Sequence, residues 1–276
     1  MLAFSRSVLS RTRLPGRYSM AELVAKLFAP ADKLVEGQIG GFDYQFDFRD
    51  GLQRQMYFGI YDQAEMALMS KVLIPGDVFF DIGANVGYYS LQAASLVGDT
   101  GKIHSFEPVP ENALKIQIAV ERNKLENVHV NQVAVGESEG ALELYLGDEG
   151  LGNSGWASIV SSERRPRALS VRVLSIDHYV AENDIGPVRL IKMDVEGAEP
   201  EVIAGMKLLL ERSDAPYLLC EVNPWLLDRR GLDSTAITQP LATHGYRLYP
   251  VETSAVTEID PLQTISDLTN LFCRKR

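Results

Sequence analysis

A chain of 276 residues, 46% hydrophobic and 23% charged, has the composition of a soluble globular protein large enough to fold without disulfide or metal staples. Its net charge of −10 excludes a protein that holds nucleic acid by broad neutralisation of phosphates, though not a local basic patch. It contains no run of about 18 apolar residues that would cross a membrane, and Cys220 and Cys273, each inside an apolar run, read as buried free thiols of a reducing, cytoplasmic compartment.

The first residues carry Arg6, Arg11, Arg13 and Arg17 and no acid. They read as a basic, partly helical arm over residues 1–35, with an organelle-targeting segment as the alternative. Its firmest helix covers 21–28 and stops at Pro30. Residues 40–48 alternate through Phe42, Tyr44, Phe46 and Phe48. Asp50-Gly51 then predicts a hairpin turn, with 54–58 as the returning strand. Residues 62–73 fit a helix that ends before Pro75-Gly76. This front section reads as an appendage able to cover a pocket. The main domain is taken as 36–276, with its core from about residue 76.

From there strands and helices alternate. Strand 78–82 precedes helix 86–97, and strand 102–106 precedes helix 110–124, which has Leu114, Ile118 and Leu125 at helical spacing. Strand 128–135 follows. Such alternation argues a parallel sheet with helices on both faces. Residues 140–175 break the rhythm. Strands 141–146 and 169–174 flank a polar, Gly-rich loop, 147–167, so the segment reads as a β-hairpin insertion that is functional or mobile. The rhythm resumes with strand 188–194 and helix 198–211, whose Val202, Ile203, Met206, Leu209 and Leu210 share one side. Strand 216–222, helix 234–243 and strand 246–250 follow, and a last strand at about 269–273 ends the sheet.

The first strand runs into a corner, Gly83-Ala84-Asn85-Val86-Gly87, where backbone can approach a ligand closely. A dinucleotide fingerprint would need glycines at 83, 85 and 88, where Gly83, Asn85 and Tyr88 stand. A phosphate loop would need Lys where Tyr89 is. Glycine spacing of the G-x-G-x-G kind falls on Gly83, Asn85 and Gly87, and Asn tolerates left-handed backbone. Glu107 ends the second apolar run, 20 residues past Gly87. An acid there can accept hydrogen bonds from both ribose hydroxyls of an adenosine group.

With Asp81-Ile-Gly-Ala-Asn-Val-Gly-Tyr-Tyr-Ser90, Phe106-Glu-Pro-Val-Pro-Glu-Asn112 and Ile191-Lys-Met-Asp-Val-Glu-Gly-Ala-Glu199 in this order, the chain resembles the FkbM-type family of S-adenosylmethionine-dependent methyltransferases. The likeness runs from about residue 40 to the C-terminus. It implies an α/β fold: a doubly wound, mostly parallel seven-stranded sheet of the Rossmann-like class I methyltransferase kind. The last strand would be antiparallel and slotted beside 216–222, which would make Cys220 and Cys273 neighbours.

S-adenosylmethionine carries an ammonium, a carboxylate, a sulfonium and an adenosine. Backbone N–H groups of Gly83, Ala84, Asn85 and Gly87 suit its carboxylate. Asp81 orders this loop and can face the ammonium. Glu107, followed by Pro108, suits the ribose, and the adenine would lie against Val109 and the stretch Val133-Ala134-Val135. Acids cluster at the predicted strand ends. Methylating a hydroxyl removes its proton as the bond forms, so a nearby base helps. Asp194 is the first candidate, with Glu196 and Glu221 behind it. Such a cluster can also hold Mg²⁺, but no metal ligand is assigned. Glu199 can equally be a first-turn acid favoured by the helix dipole. His178 reads as structural or exposed. Trp156, in a loop with Asn153, either stacks on a ring substrate or anchors the loop, and Trp225 is a further candidate wall of the pocket. The resemblance places Asn223 near the site. The function expected is O-methylation of a small molecule or saccharide. The alternative is a regulatory or assembly protein that binds the cofactor without transferring methyl groups.

Overall fold

A computed structural model describes residues 2–10, 16–147, 157–159, 167–251 and 257–275. Helices α1 (Leu2–Leu9) and α2 (Arg17–Phe28) lead into the antiparallel strands β1 (Leu34–Ile39) and β2 (Phe42–Asp47). These strands turn at Gly40-Gly41, not at Asp50-Gly51 as the sequence suggests. Asp50 instead caps helix α3 (Gly51–Phe58), its carboxylate accepting from Leu52 N at 2.8 Å. Residues 54–58 are therefore helical. An Asp-Gly pair serves a hairpin and a helix start equally well, and here the capping bond decides. Helix α4 (Gln63–Val72) completes the front section.

The central sheet is built from β3 (Val78–Ile82), β4 (Lys102–Phe106) and β5 (Val128–Asn131), joined by helices α5 (Tyr88–Val97) and α6 (Pro110–Asn123). The expected strand 128–135 divides. Its first half pairs with β4, and β6 (Ala134–Val135) leaves to join a second sheet. That sheet has the order β6-β9-β7-β8, with β7 (Gly140–Leu146), β8 (Ala157–Ser158) and β9 (Arg167–Leu174). The insertion is thus more than a hairpin, although β7 and β9 do pair antiparallel. In α6 the apolar stripe of Leu114 and Ile118 faces solvent, 54% and 52% exposed, while Ala113, Ile116 and Ala119 face inward.

Beyond the insertion come α7 (Ile176–Glu182), β10 (Leu190–Met193), α8 (Glu199–Ala204) and α9 (Lys207–Glu211). The expected helix 198–211 is broken at Gly205, which packs against the backbone of Gly136. Val202, Ile203, Met206, Leu209 and Leu210 are buried across the break, as their spacing requires. Then follow β11 (Tyr217–Val222), α10 (Pro224–Asp228), α11 (Thr235–Thr243), β12 (Tyr246–Pro250) and β13 (Thr269–Lys275).

The seven-stranded sheet has the order β12-β13-β11-β10-β3-β4-β5. β13 runs antiparallel between β11 and β12, so it is interior and β12 is the edge. The last strand of the chain therefore does not end the sheet. Leu218 faces Cys273 and Cys220 faces Leu271 across this pair, which sets the two free, buried thiols diagonally on one face. One apolar cluster joins the front section to the sheet, from Leu9, Ala21 and Phe46 to Phe79, Leu91 and Leu190. A second fills the opposite face, around Phe80, Ile191, Val202 and Leu218. Among the described residues no helix is long and apolar enough to cross a membrane.

Candidate active site

In a parallel sheet the strand ends that point the same way form one rim. Here the ends of β3, β4, β10 and β11 open into a cavity of about 530 Å³, closed on one side by the insertion and on another by the front section. This volume falls in the range of small-molecule sites.

Gly83 locks the rim together. Its φ is 79°, and a Cβ there would collide with the carbonyl oxygen of Asp194. The first motif therefore rests directly on the third, an approach open only to glycine. The corner's amides are spent within the protein. Gly83 N and Ala84 N both donate to Phe106 O at 3.0 Å, and Gly87 N donates to Ala84 O. Asn85 N donates to Glu107 Oε2 at 2.7 Å. These four N–H groups do not form the free carboxylate cradle that the sequence suggests. They fix the loop on Glu107.

Glu107 is buried, and its other oxygen accepts from Val109 N at 2.9 Å. Burial pushes its pKa up to about 7, against the opposing effect of those two N–H groups. The Asn112 side chain donates a third hydrogen bond to this carboxylate, and a carboxylate has about four lone-pair sites, so at least one remains. Gly83, Asn85, Glu107, Pro108 and Ala134 all line the cavity, together with Ile82, Phe106, Val133 and Val135. Asp81, Ala84 and Gly87 do not line it. Asp81 is fully buried behind the loop, where its Oδ2 accepts from Ser90 Oγ at 2.6 Å and its Oδ1 has no partner.

These residues fit S-adenosylmethionine in chemistry. The Glu107 carboxylate can accept from ribose hydroxyls, and the apolar strand ends suit an adenine. The buried Asn85 Oδ1, which lacks a hydrogen-bond partner, offers an acceptor to a cationic group.

The third motif supplies the other end. Asp194, Glu196, Glu221 and Asn223 line the cavity. Asp194 Oδ2 accepts from Lys192 Nζ at 3.0 Å. Lys192 is buried and lies 4.6 Å from the centre of the Tyr89 ring. Burial alone would lower its pKa, but the Asp194 and Asp81 carboxylates raise it above the usual lysine value. Glu221 forms no side-chain hydrogen bond or ion pair among the described residues. Desolvation, then the charges of Asp194 and Glu196, push its pKa well above the carboxylate range. Glu196 holds a left-handed backbone, φ 53°, and its carbonyl accepts from Ser158 Oγ of the insertion at 2.8 Å. Glu199 stands in the first turn of α8, where the helix dipole favours an acid, and it is also the brace of the Asp194 turn. It is buried, and its Oε1 accepts from Val195 N at 3.1 Å and Gly197 N at 3.3 Å. Burial pushes its pKa up to about 7.

Asn223 caps α10, and Trp225 on that helix is 57% exposed at the cavity mouth. Asn153 and Trp156 lie outside the described residues. His178 is exposed, its Nε2 3.0 Å from Glu182. Among the described residues no three His, Cys, Asp or Glu side chains are placed to hold a metal ion. Sequence reasoning missed Lys192, although a lysine inside an apolar strand signals a buried, paired charge. It also missed Tyr61, Asp62 and Asn270, which reach the cavity from the front section and the last strand.

The family model for the Methyltransferase FkbM domain matches residues 81–248, more than half of the chain. A 31-O-demethyl-FK506 methyltransferase, FkbM, from Streptomyces tacrolimicus is 25% identical over 161 residues, 49% of this chain. That match spans 61% of the relative's own length. A 2-O-methyltransferase, NoeI, from Sinorhizobium fredii is 24% identical over 184 residues, covering 62% of this chain and 73% of the relative. A crystal structure of methyltransferase FkbM from Methylobacillus flagellatus aligns at TM-score 0.44 and 14% identity, over 93% of this chain and 59% of that one. The domain match encloses the corner at Gly83, the buried acid Glu107 and the acid turn at Asp194 that meet around the cavity, and the chain belongs to the FkbM-type family of S-adenosylmethionine-dependent methyltransferases.

Proposed function

We propose that the protein is an S-adenosylmethionine-dependent O-methyltransferase acting on a hydroxyl of a small molecule or saccharide. The observation that carries this reading is one cavity with an adenosine-compatible end at Glu107 and an acid end at Asp194 and Glu221. Both relatives are named for O-methyl transfer, which agrees with it.

When bound, S-adenosylmethionine supplies an electrophilic methyl group on a sulfonium. The chain's own task is then to hold a hydroxyl and remove its proton. Asp194 is tied to Lys192, so its orientation is set and its free oxygen can position the acceptor. Glu221 lacks such a tie, and desolvation with the neighbouring acids raises its pKa, which strengthens its ionised form as a proton acceptor. We therefore take Glu221 ahead of Asp194 as base, the reverse of the order taken from sequence; its lack of a hydrogen-bond partner among the described residues supports this reading.

The test is a labelled-methyl assay over sugar, polyketide and peptide acceptors, run beside calorimetry with S-adenosylmethionine and its demethylated product. Binding together with transfer to a hydroxyl is the expected result. Binding without transfer to any acceptor pool would favour a regulatory role, and no binding at millimolar concentration would remove both.

A further inference from the structure

We propose that Asp62, supplied by the front section, is an acceptor-binding residue, and that the acceptor it selects is a neutral or amine-bearing polyol and not an acidic one. This deepens the methyltransferase reading above and rests on it.

Asp62 occupies the N-cap position of α4, yet its side chain makes no capping bond. Asp50, Ser175 and Asn223 at the starts of α3, α7 and α10 all cap through their side chains. A capping acid normally stabilises its helix by about 1 kcal/mol. Asp62 forgoes this and also holds a left-handed backbone, φ 41°. Asp62 lines the cavity instead, and its carboxylate accepts from Tyr89 Oη behind the wall at 2.7 Å and from the Tyr61 hydroxyl. The Tyr89 ring covers the Lys192 ammonium, which in turn holds Asp194. Asp62 is thereby braced on the same scaffold as the acid turn. Local rules broken without local gain are expected at functional positions.

The cavity wall decides what such a residue can bind. Asp62, Asp194, Glu196 and Glu221 all line it, and among the described residues no lysine, arginine or histidine does. Lys192, the buried cation behind the wall, is engaged by Asp194. The Glu221 carboxyl has no side-chain hydrogen bond among the described residues, though it feels the Lys192 charge. An ionised carboxylate only accepts hydrogen bonds, so Asp62 and Asp194 are matched by adjacent hydroxyls or an ammonium. Among the described residues of this wall a carboxylated or phosphorylated acceptor would meet acids and no cation, a repulsive selection against that class. Asn223 and Asn270 add side-chain amides that both donate and accept, and Tyr61 and Trp225 add aromatic surface for the C–H face of a sugar ring.

The test uses the full chain saturated with S-adenosylhomocysteine. It is titrated calorimetrically with methyl α-D-glucopyranoside, D-glucosamine, D-glucuronate and D-glucose 6-phosphate at millimolar concentrations. Binding of one or both of the first two sugars, with the acids at least about tenfold weaker, is expected. Asp62→Asn should weaken sugar binding about tenfold and leave S-adenosylhomocysteine affinity unchanged. Asp62→Gly, whose backbone suits a positive φ, should keep the wild-type melting temperature and lose sugar binding. Equal binding of either acid, binding of no sugar, or unchanged sugar affinity in Asp62→Asn would each overturn the proposal. So would an Asp62→Gly variant that melts far lower while Asp62→Asn binds sugar normally, since Asp62 would then only anchor Tyr89. Failure of S-adenosylhomocysteine itself to bind would instead remove the methyltransferase reading.

Discussion

Glu107 holds a carboxylate where water is scarce, with one backbone N–H on each oxygen. If its remaining lone pairs meet the ribose, Glu107→Ala removes charge-assisted hydrogen bonds worth about 1.5–3 kcal/mol each. The expected result in calorimetry is a loss of roughly tenfold or more in S-adenosylmethionine affinity. An unchanged affinity in a folded variant would take this acid off the ribose. Glu221 and Asp194 separate by kinetics. Glu221→Gln should lower turnover by about 10²–10⁴, the loss typical of a general base, and should flatten the acidic limb of the rate profile. Asp194→Asn should act mainly on KM. The opposite pattern would return the base to Asp194. Glu199 is a linkage case. Its folded pKa of about 7 lies above its ordinary 4.5, so the native state holds the proton more tightly than the unfolded chain does. Its contribution to stability is full below about 4.5 and is lost as pH rises through about 7. Urea midpoints between pH 4 and 8 should therefore fall less steeply with rising pH for Glu199→Gln than for the natural chain, and parallel curves would refute the sign.

At the scale of elements, the junction of β3 with β10 carries the site. Their register sets Ile82 beside Met193, so the Gly83 corner and the Asp194 turn emerge side by side. Gly83→Ala would drive a methyl into the Asp194 carbonyl and impose a positive φ on alanine. Overpacking and backbone strain together should cost upward of about 3 kcal/mol. Gly98→Ala is the control: it shares a positive φ but meets nothing within 4 Å. Urea denaturation of the two variants should show the larger loss at Gly83, and equal losses would mean that strain alone accounts for both.

The whole molecule shares one core between the front section and the sheet, since Leu9, Ala21 and Phe46 join the same apolar cluster as Phe79 and Leu190. The cavity is lined from both. Heat should therefore unfold the two together, and a ligand of the cavity should raise that single transition. At a concentration of 100 times its dissociation constant, S-adenosylhomocysteine should add about 2.7 kcal/mol, a shift of several degrees for a chain of this size. A second transition that ignores the ligand would show that the front section folds apart from the site.

How much of this was legible beforehand follows from where the information lies. Strand-helix alternation, the Gly83 corner, Glu107 and the acid turn at Asp194 stand in short contiguous motifs, because a strand, its turn and the next helix are local objects with local residue demands. That the front section reaches the pocket was also readable, though not that it shares the core of the sheet. So was the break in rhythm at 140–175. What failed involves competition or distance. Asp50-Gly51 serves a turn or a cap, and the bond from Leu52 N to the Asp50 carboxylate marks it as the cap. Residues 128–135 are one apolar run, but they divide because two sheets compete for their edges. The corner's amides suit an anion in isolation, yet Phe106 and Glu107 from the neighbouring strand take them. Tyr61, Asp62 and Asn270 carry no motif of their own. The sequence by itself determined which chemistry the strand ends offer, since acids and glycines are encoded where they stand. Tertiary structure alone decided which of them face one cavity, because that depends on strand order and on a front section folded back across the sheet.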